Sequence, residues 1–210
     1  MKKVMMIWSA LLLLVLAACG DINEKNSREV TPKNEAAAES QVEAEEVVEE
    51  EVIVEKPVGT RSNPLPFGET ITVKENIYDD SYNAYDSSIE ITLLESIRGN
   101  EAWAIIEKEN MYNEPAADGF EYVLIKVKGF LKESETDDDS LYFSNMNFDF
   151  VSNEGEVYEW VSAVVPNELS KELYNGGSGE GFISNQVKIG DDYKVSYDSS
   201  EGSPVFFYVQ

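Results

Sequence analysis

The chain has 210 residues, with 41 acidic against 16 basic side chains, a formal net charge of −25, one cysteine and no histidine. Without histidine there can be no Ser-His or Cys-His nucleophile pair, no His-ligated zinc and no imidazole acid–base chemistry, and a lone cysteine closes no intrachain disulfide. So acidic a surface repels nucleic-acid phosphates, so no nucleic-acid partner is expected; it favours cations or basic partners, or serves solubility alone.

The first residues read MKKVMMIWSALLLLVLAACG. Lys2 and Lys3 precede an apolar run over residues 4–18 that is broken only by Ser9. A bilayer-spanning helix needs about 20 apolar residues, so this run is too short and fits a cleaved export signal. Its ending, Leu16-Ala17-Ala18-Cys19, resembles the lipobox of bacterial prolipoproteins. That resemblance implies cleavage between Ala18 and Cys19, leaving residues 1–18 as signal peptide. It also implies a diacylglyceryl group and palmitate on the Cys19 thiol, and anchorage on the outer face of the cell membrane. Two acyl chains give stable attachment where one gives only marginal binding.

Residues 19–56 then form the lipidated cysteine and an acidic linker. From Asp21 to Lys56 there are twelve acidic and four basic residues, with no aromatic residue and no glycine. Such a segment buries too little apolar surface to offset its ordering entropy, and is expected to be a disordered tether. As a flexible coil it would span about 30–36 Å, and more under charge repulsion. Val47, Val48, Val52 and Val54 offer a short apolar stripe, so a partner helix or coiled coil is the sharper alternative.

A domain is expected over residues 57–210, where the charge run stops at Pro57. About 150 residues can bury roughly 68–70% of their unfolded surface, which is enough for a core without staples. Period-two alternation marks strands at 70–74, 89–93, 122–131, 146–150, 157–161, 182–187, 193–197 and 205–209. The segment 100–108 departs from this. It has an N-cap candidate in Asn100 and apolar residues three or four apart, and predicts a short helix laid across a sheet by Trp103. The fold class is therefore all-β, an antiparallel β-sandwich with one short helix.

Several separated motifs bear on the family. Gly59-Thr60-Arg61-Ser62-Asn63-Pro64-Leu65-Pro66 opens the domain, and Arg98-Gly99-Asn100-Glu101-Ala102-Trp103 lies in its middle. Asn110, Asn113, Pro115 and Gly119-Phe120-Glu121-Tyr122 follow, and Glu172-Leu173-Tyr174-Asn175-Gly176-Gly177 with Gly181 comes near the end. Together they resemble the telokin-like, immunoglobulin-like extracellular domain of Gram-positive surface lipoproteins, over residues 58–210. The resemblance implies an immunoglobulin-like sandwich outside the cell and carries no catalytic residues. The acidic insert at 133–140 departs from it.

That insert supplies the candidate metal ligands. Glu133, Glu135, Asp137, Asp138 and Asp139 cluster the hard oxygens that calcium takes, but lack the alternating spacing and glycine of a dedicated calcium loop; a solvated hairpin is the other reading. Asp79-Asp80 and Asp191-Asp192 carry the same reading more weakly. The glycine-rich stretch 176–181 is followed by a strand pattern rather than a helix, and reads as a turn rather than a phosphate cradle. Trp103, Trp160, Phe206, Phe207 and Tyr208 could form a stacking platform or simply pack the sandwich. Carboxylate pairs and Ser170-Lys171 carry no specific sign of catalysis. The expected protein is a lipid-anchored, non-catalytic interaction or adhesion module without cofactor, meeting the membrane through Cys19 and an unidentified extracellular protein or envelope component. The alternative is a small-ligand or calcium-dependent binding lipoprotein.

Overall fold

The computed structural model describes residues 57–209; the leader, Ala18, Cys19 and the acidic segment lie outside the described residues. In Thr70–Tyr78 (β1), Val73, Glu75 and Ile77 are buried while Thr70, Thr72, Lys74 and Tyr78 face outward. Ala84–Arg98 (β2) repeats this two-residue period through Ile89, Ile91 and Leu93. The two strands pair antiparallel with Ile71 opposite Ile91 and Val73 opposite Ile89, so the apolar sets land on one face.

After α1 (Asn100–Glu109) the chain returns as β3 (Phe120–Ser134), and β3 accepts the later strand β7 (Ser178–Lys188) on its other side. The result is a four-stranded antiparallel sheet in the order β1-β2-β3-β7. Short strands build the opposing layer. Leu141–Ser144 (β4) pairs with Ser170–Leu173 (β6), and Phe148–Val151 (β5), Lys194–Tyr197 (β8) and Val205–Tyr208 (β9) pair in the order β5-β8-β9. Ile89, Ile91, Leu93, Val123, Ile125 and Val127 meet Phe143, Phe148, Phe150, Tyr193, Tyr197 and Phe207 in one continuous core. This is the all-β, antiparallel sandwich-like fold with one short helix that the alternation predicts.

β3 is buried on both faces. Val123, Ile125, Val127 and Leu131 enter that core, while Tyr122 and Leu124 face the other way and pack under Ala102 and Ile106 of α1, together with Val165. Trp103 stacks on Tyr122 with ring centroids 5.6 Å apart, so the helix lies across the sheet as expected.

Four local expectations change. Asn100 is the first helical residue rather than the cap. Gly99 takes the cap position at φ 67°, a conformation that costs glycine nothing, and an added Cβ there would stand 2.8 Å from a carboxylate oxygen of Glu121. Met146 lies in a 3-10 turn, Asn145–Asn147, in which Ser144 and Asn147 cap each other reciprocally, so the strand begins only at Phe148. Residues 157–161 form no strand; a single bridge joins Val157 to Val151. Finally, β4 and β6 are strands that the alternation did not mark. Just before β6 the chain bridges β7 at Phe182, and Gly181 leaves room for it: a Cβ there would meet the backbone of Asn167 and Leu169 at 2.7 Å.

Candidate functional site

Two irregular segments, 110–119 and 157–165, approach each other at Asn113 and Val164; the second starts at β5, where Val157 bridges Val151, and ends with Val165 in the cluster under α1. Neither has a ladder partner along its length. Amide side chains take that place, so that buried backbone groups still find partners. Asn113 Nδ2 donates to the carbonyls of Ile106 at 2.8 Å and Val164 at 2.9 Å, and its Oδ1 accepts from the Val164 N–H at 2.9 Å. From β7, the buried Asn185 accepts the Val161 N–H at 3.1 Å, and the buried Gln186 accepts the Ala117 N–H at 3.0 Å.

The surface between the segments is concave. One hollow of about 310 Å³ is lined by Phe120, Val157, Tyr158, Glu159 and Lys188 among others. A second of about 650 Å³ is lined by Tyr112, Asn113, Glu114, Tyr122 and Val164 among others. Both include Ala117, Val161 and Gln186 in their walls, so the two hollows adjoin along one grooved surface. Its borders are unusually apolar for solvent-facing residues: Tyr112 is 83% exposed, Val164 50%, and Trp160, between the lining residues Glu159 and Val161, 66%. Met111 and Val157 are exposed as well. Clustered exposed apolar side chains of this kind mark binding surfaces more often than scattered ones do.

The charges in the groove are mostly negative. Glu114, Glu156 and Glu159 line it against Lys188 alone, and Lys188 Nζ lies 3.6 Å from Glu156 Oε2. Tyr158 forms part of the floor. Its hydroxyl donates to Asp191 Oδ2 at 2.7 Å and accepts the Lys188 N–H at 3.3 Å. Burial, followed by the hydrogen bond to Asp191, pushes its ionisation up to about 12. Asp191 is further tied in through its carbonyl, which accepts from Arg98. Arg98 also holds Glu121 Oε1 through Nε at 3.1 Å and Nη2 at 2.5 Å, and stands over the Tyr193 ring. An aromatic and amide-lined groove with a negative rim can seat an extended or irregular ligand by stacking and by backbone hydrogen bonds.

The acidic insert lies elsewhere, and three of its carboxylates bond separate partners. Thr136 is its buried hub, donating to Asp139 Oδ2 at 2.8 Å and accepting the N–H groups of Asp138 and Asp139 at 3.3 Å. Glu135 accepts the Asp86 N–H at 3.2 Å, Asp137 accepts from Asn175 at 2.8 Å, and Glu133 belongs to the end of β3. Among the described residues no group of three or more carboxylates is placed to hold a metal ion. Of the candidate calcium ligands Glu133, Glu135, Asp137, Asp138 and Asp139, three carboxylates are engaged within the protein: Glu135 by the Asp86 N–H, Asp137 by Asn175 and Asp139 by the Thr136 hydroxyl. Asp79 likewise closes the β1–β2 hairpin, accepting from Ser81, from both Asn83 nitrogens and from Tyr85. Those bonds, above all that from the Asn83 side chain, hold its carboxyl below the usual range.

The aromatic platform is not assembled either. Phe207 is core, Trp103 covers Tyr122, Phe206 and Tyr208 flank Phe207 on β9, and Trp160 stands on its own segment. Gly176 and Gly177 turn the chain from β6 into β7 as expected, and Ser170 shares a hydrogen bond with Tyr142 rather than with Lys171. The residues that shape the groove were not singled out by composition. The one available signal was polar Asn185-Gln186 inside an otherwise apolar strand pattern, because amides buried in a strand are retained where they have partners.

No protein-family model matches the chain, and no curated protein matches it. Among solved structures, ycdA of Bacillus subtilis, a candidate lipoprotein, is similar at 12% identity with a TM-score of 0.43, over 66% of this chain and 38% of its own. The chain thus spans well under half of that protein. The yjhA protein of Bacillus subtilis is similar at 15% identity with a TM-score of 0.41, over 70% of this chain and 99% of its own.

Proposed function

We propose that this protein is a lipid-anchored surface lipoprotein whose sandwich domain is a non-catalytic interaction module, with the groove between residues 110–119 and 157–165 as its contact surface. The anchor rests on the Leu16-Ala17-Ala18-Cys19 ending of a short apolar leader. The module rests on one structural observation above all: exposed Tyr112, Trp160 and Val164 border a groove whose two walls are held in place by buried amides. Rigid aromatic borders offer contact area at low entropic cost, which suits recognition. The antiparallel sandwich is compatible with the immunoglobulin-like extracellular domain that the separated motifs resemble. Of those motif residues, Asn113, Pro115, Phe120 and Tyr122 line the two hollows, and Asn113 bonds Val164.

The anchor is tested by fractionating cells that carry Cys19→Ala. The variant is expected in the medium or as an unprocessed precursor, and mass spectrometry of the wild-type protein should find an acylated cysteine at its new N-terminus. Membrane retention of a processed Cys19→Ala chain would refute the lipid anchor.

A further inference from the structure

The groove has a second property that narrows what can enter it. Trp160, Ser162 and Ala163 make no backbone hydrogen bond to another described residue, although 157–165 reads Val-Tyr-Glu-Trp-Val-Ser-Ala-Val-Val and is β-prone throughout. Inward Val161, Ala163 and Val165 alternate with outward Trp160, Ser162 and Val164, the period of an extended chain. The segment therefore offers main-chain donors and acceptors, an apolar border and a negative rim at one place. Glu114, Glu156 and Glu159 outnumber Lys188, which already has Glu156 beside it.

We propose that this groove binds a cationic polypeptide in extended form, which adds along 157–165, sets an aliphatic side chain against Tyr112 and Val164, and directs a lysine or arginine to Trp160 and Glu159. Strand addition supplies affinity through main-chain bonds while alternate side chains supply selectivity. A guanidinium or ammonium over an exposed indole beside a carboxylate combines cation–π attraction with charge pairing. The inference rests on the interaction reading above and names the partner's chemistry.

The test is a titration of the full chain with three short synthetic peptides alternating leucine with arginine, leucine with glutamate, and glycine with arginine, followed by calorimetry. The leucine–arginine peptide should bind saturably, about tenfold or more tighter than the other two, as expected when anchors and charge act together. Trp160→Ala and Tyr112→Ala should each weaken it about fivefold or more, whereas Tyr174→Ala, an exposed tyrosine on the β6–β7 turn, should change it less than about twofold. Glu159→Gln should weaken it at low salt and less so at high salt, where exposed charges are screened. Equal binding of the glycine–arginine peptide, or indifference to Trp160→Ala, would reduce the effect to diffuse acidity and overturn the proposal. Tight binding of the leucine–glutamate peptide at Trp160 would overturn the cationic partner yet leave the interaction reading standing. A dimer in sedimentation that Trp160→Ala dissolves would replace the polypeptide with a second copy of the chain. Fractionation of Cys19→Ala bears on the anchor alone.

Discussion

The Tyr197 hydroxyl donates a 2.6 Å hydrogen bond to Oε1 of Glu75, inside the core and across its two layers. Glu75 is only 3% exposed, and its other oxygen accepts from the N–H of Ser200 at 2.9 Å and from its hydroxyl at 2.5 Å. One carboxylate thus ties β1 of the large sheet to β8 and to the connection that follows it. Removing it strands a buried phenol and a backbone donor. Glu75→Ala is therefore expected to cost about 3 kcal/mol, and Tyr197→Phe, which leaves Glu75 its Ser200 bonds, about 1–2 kcal/mol. Urea unfolding of both single variants and the double variant should return a coupling of about 1–2 kcal/mol. Additive losses would mean that the pair does not act as a unit.

Alkaline pH should unfold the domain through its buried tyrosines. Burial raises the ionisation of Tyr193, and burial with Glu75 close by raises that of Tyr197 further, while Tyr158 sits at about 12. In the unfolded chain all three ionise near their ordinary value of about 10. The folded state then holds protons that the unfolded state has lost, so the stability these groups lend is complete below about pH 10 and declines as pH rises through the folded values. Denaturant midpoints should be flat from about pH 8 to 9.5 on this account and fall beyond it. Phenolate absorbance should show exposed tyrosines such as Tyr82 and Tyr112 ionising first, with the last groups appearing only together with loss of structure.

Close approach of the 167–169 backbone to β7 predicts a large effect from a single methyl group. At Gly181, opposite Val127 in the large sheet, the amide of Leu169 donates to the Phe182 carbonyl and the amide of Phe182 to the Asn167 carbonyl, both at 2.9 Å. A Cβ would stand 2.7 Å from Asn167 O and from Leu169 Cα, and backbone cannot rotate away as a side chain can. Gly181→Ala should cost about 2 kcal/mol or more by thermal unfolding. Wild-type stability would mean that the crossing is looser than described.

The same crossing shows what alternation could and could not reveal. Long strands such as β2 and β3 announce themselves because apolar residues recur at every second position over many residues, and a shift of one position in β2 would turn Ile89, Ile91 and Leu93 out of the core. β4 and β6 are four residues each, and Tyr142 and Lys171 are held by cross-strand pairing rather than by a periodic face, so no pattern accumulates. Residues 157–161 carry a strand's composition without becoming one, because side chains rather than a neighbouring strand meet Val161 and Val164. The helix was legible from its spacing, but its cap was not. Asn100 has the right chemistry for a cap, yet the chain needs a positive φ one residue earlier, where only Gly99 sits comfortably. The groove was the least legible feature of all, since Asn113 and the neighbouring pair Asn185-Gln186 come from two distant stretches that act together only in the fold.

Strain at the β1–β2 hairpin should be relievable. Tyr82 adopts φ 62° and is almost fully exposed, so its ring gains little while its backbone sits in the left-handed region. Asparagine tolerates that region better than tyrosine. Tyr82→Asn is expected to raise stability by about 0.5–1 kcal/mol, readable as a higher melting temperature. A lower melting temperature would mean that the phenol makes contacts that its exposure conceals.

Loosening the groove without touching its exposed face is the sharpest separation of scaffold from surface. Asn113 makes three bonds, to Ile106 and Val164, and all of them go to backbone. Asn113→Ala leaves the Val164 N–H and carbonyl to find water, while the Ile106 carbonyl keeps the Asn110 N–H; this should cost about 1–3 kcal/mol locally. Because the sandwich core lies on the opposite face of the large sheet, the global melt should move less than the local protection does. Amide exchange should therefore accelerate for residues 161–165 while β2 and β3 keep their protection, as expected of a locally opening unit. Asn113→Asp is the informative companion. It keeps the acceptor for the Val164 N–H but loses both donors, so it should loosen the Ile106 and Val164 carbonyls only. If exchange at Val164 is unchanged in both variants, the amide does not hold the groove wall and the segment is fixed by the packing of Val165 instead.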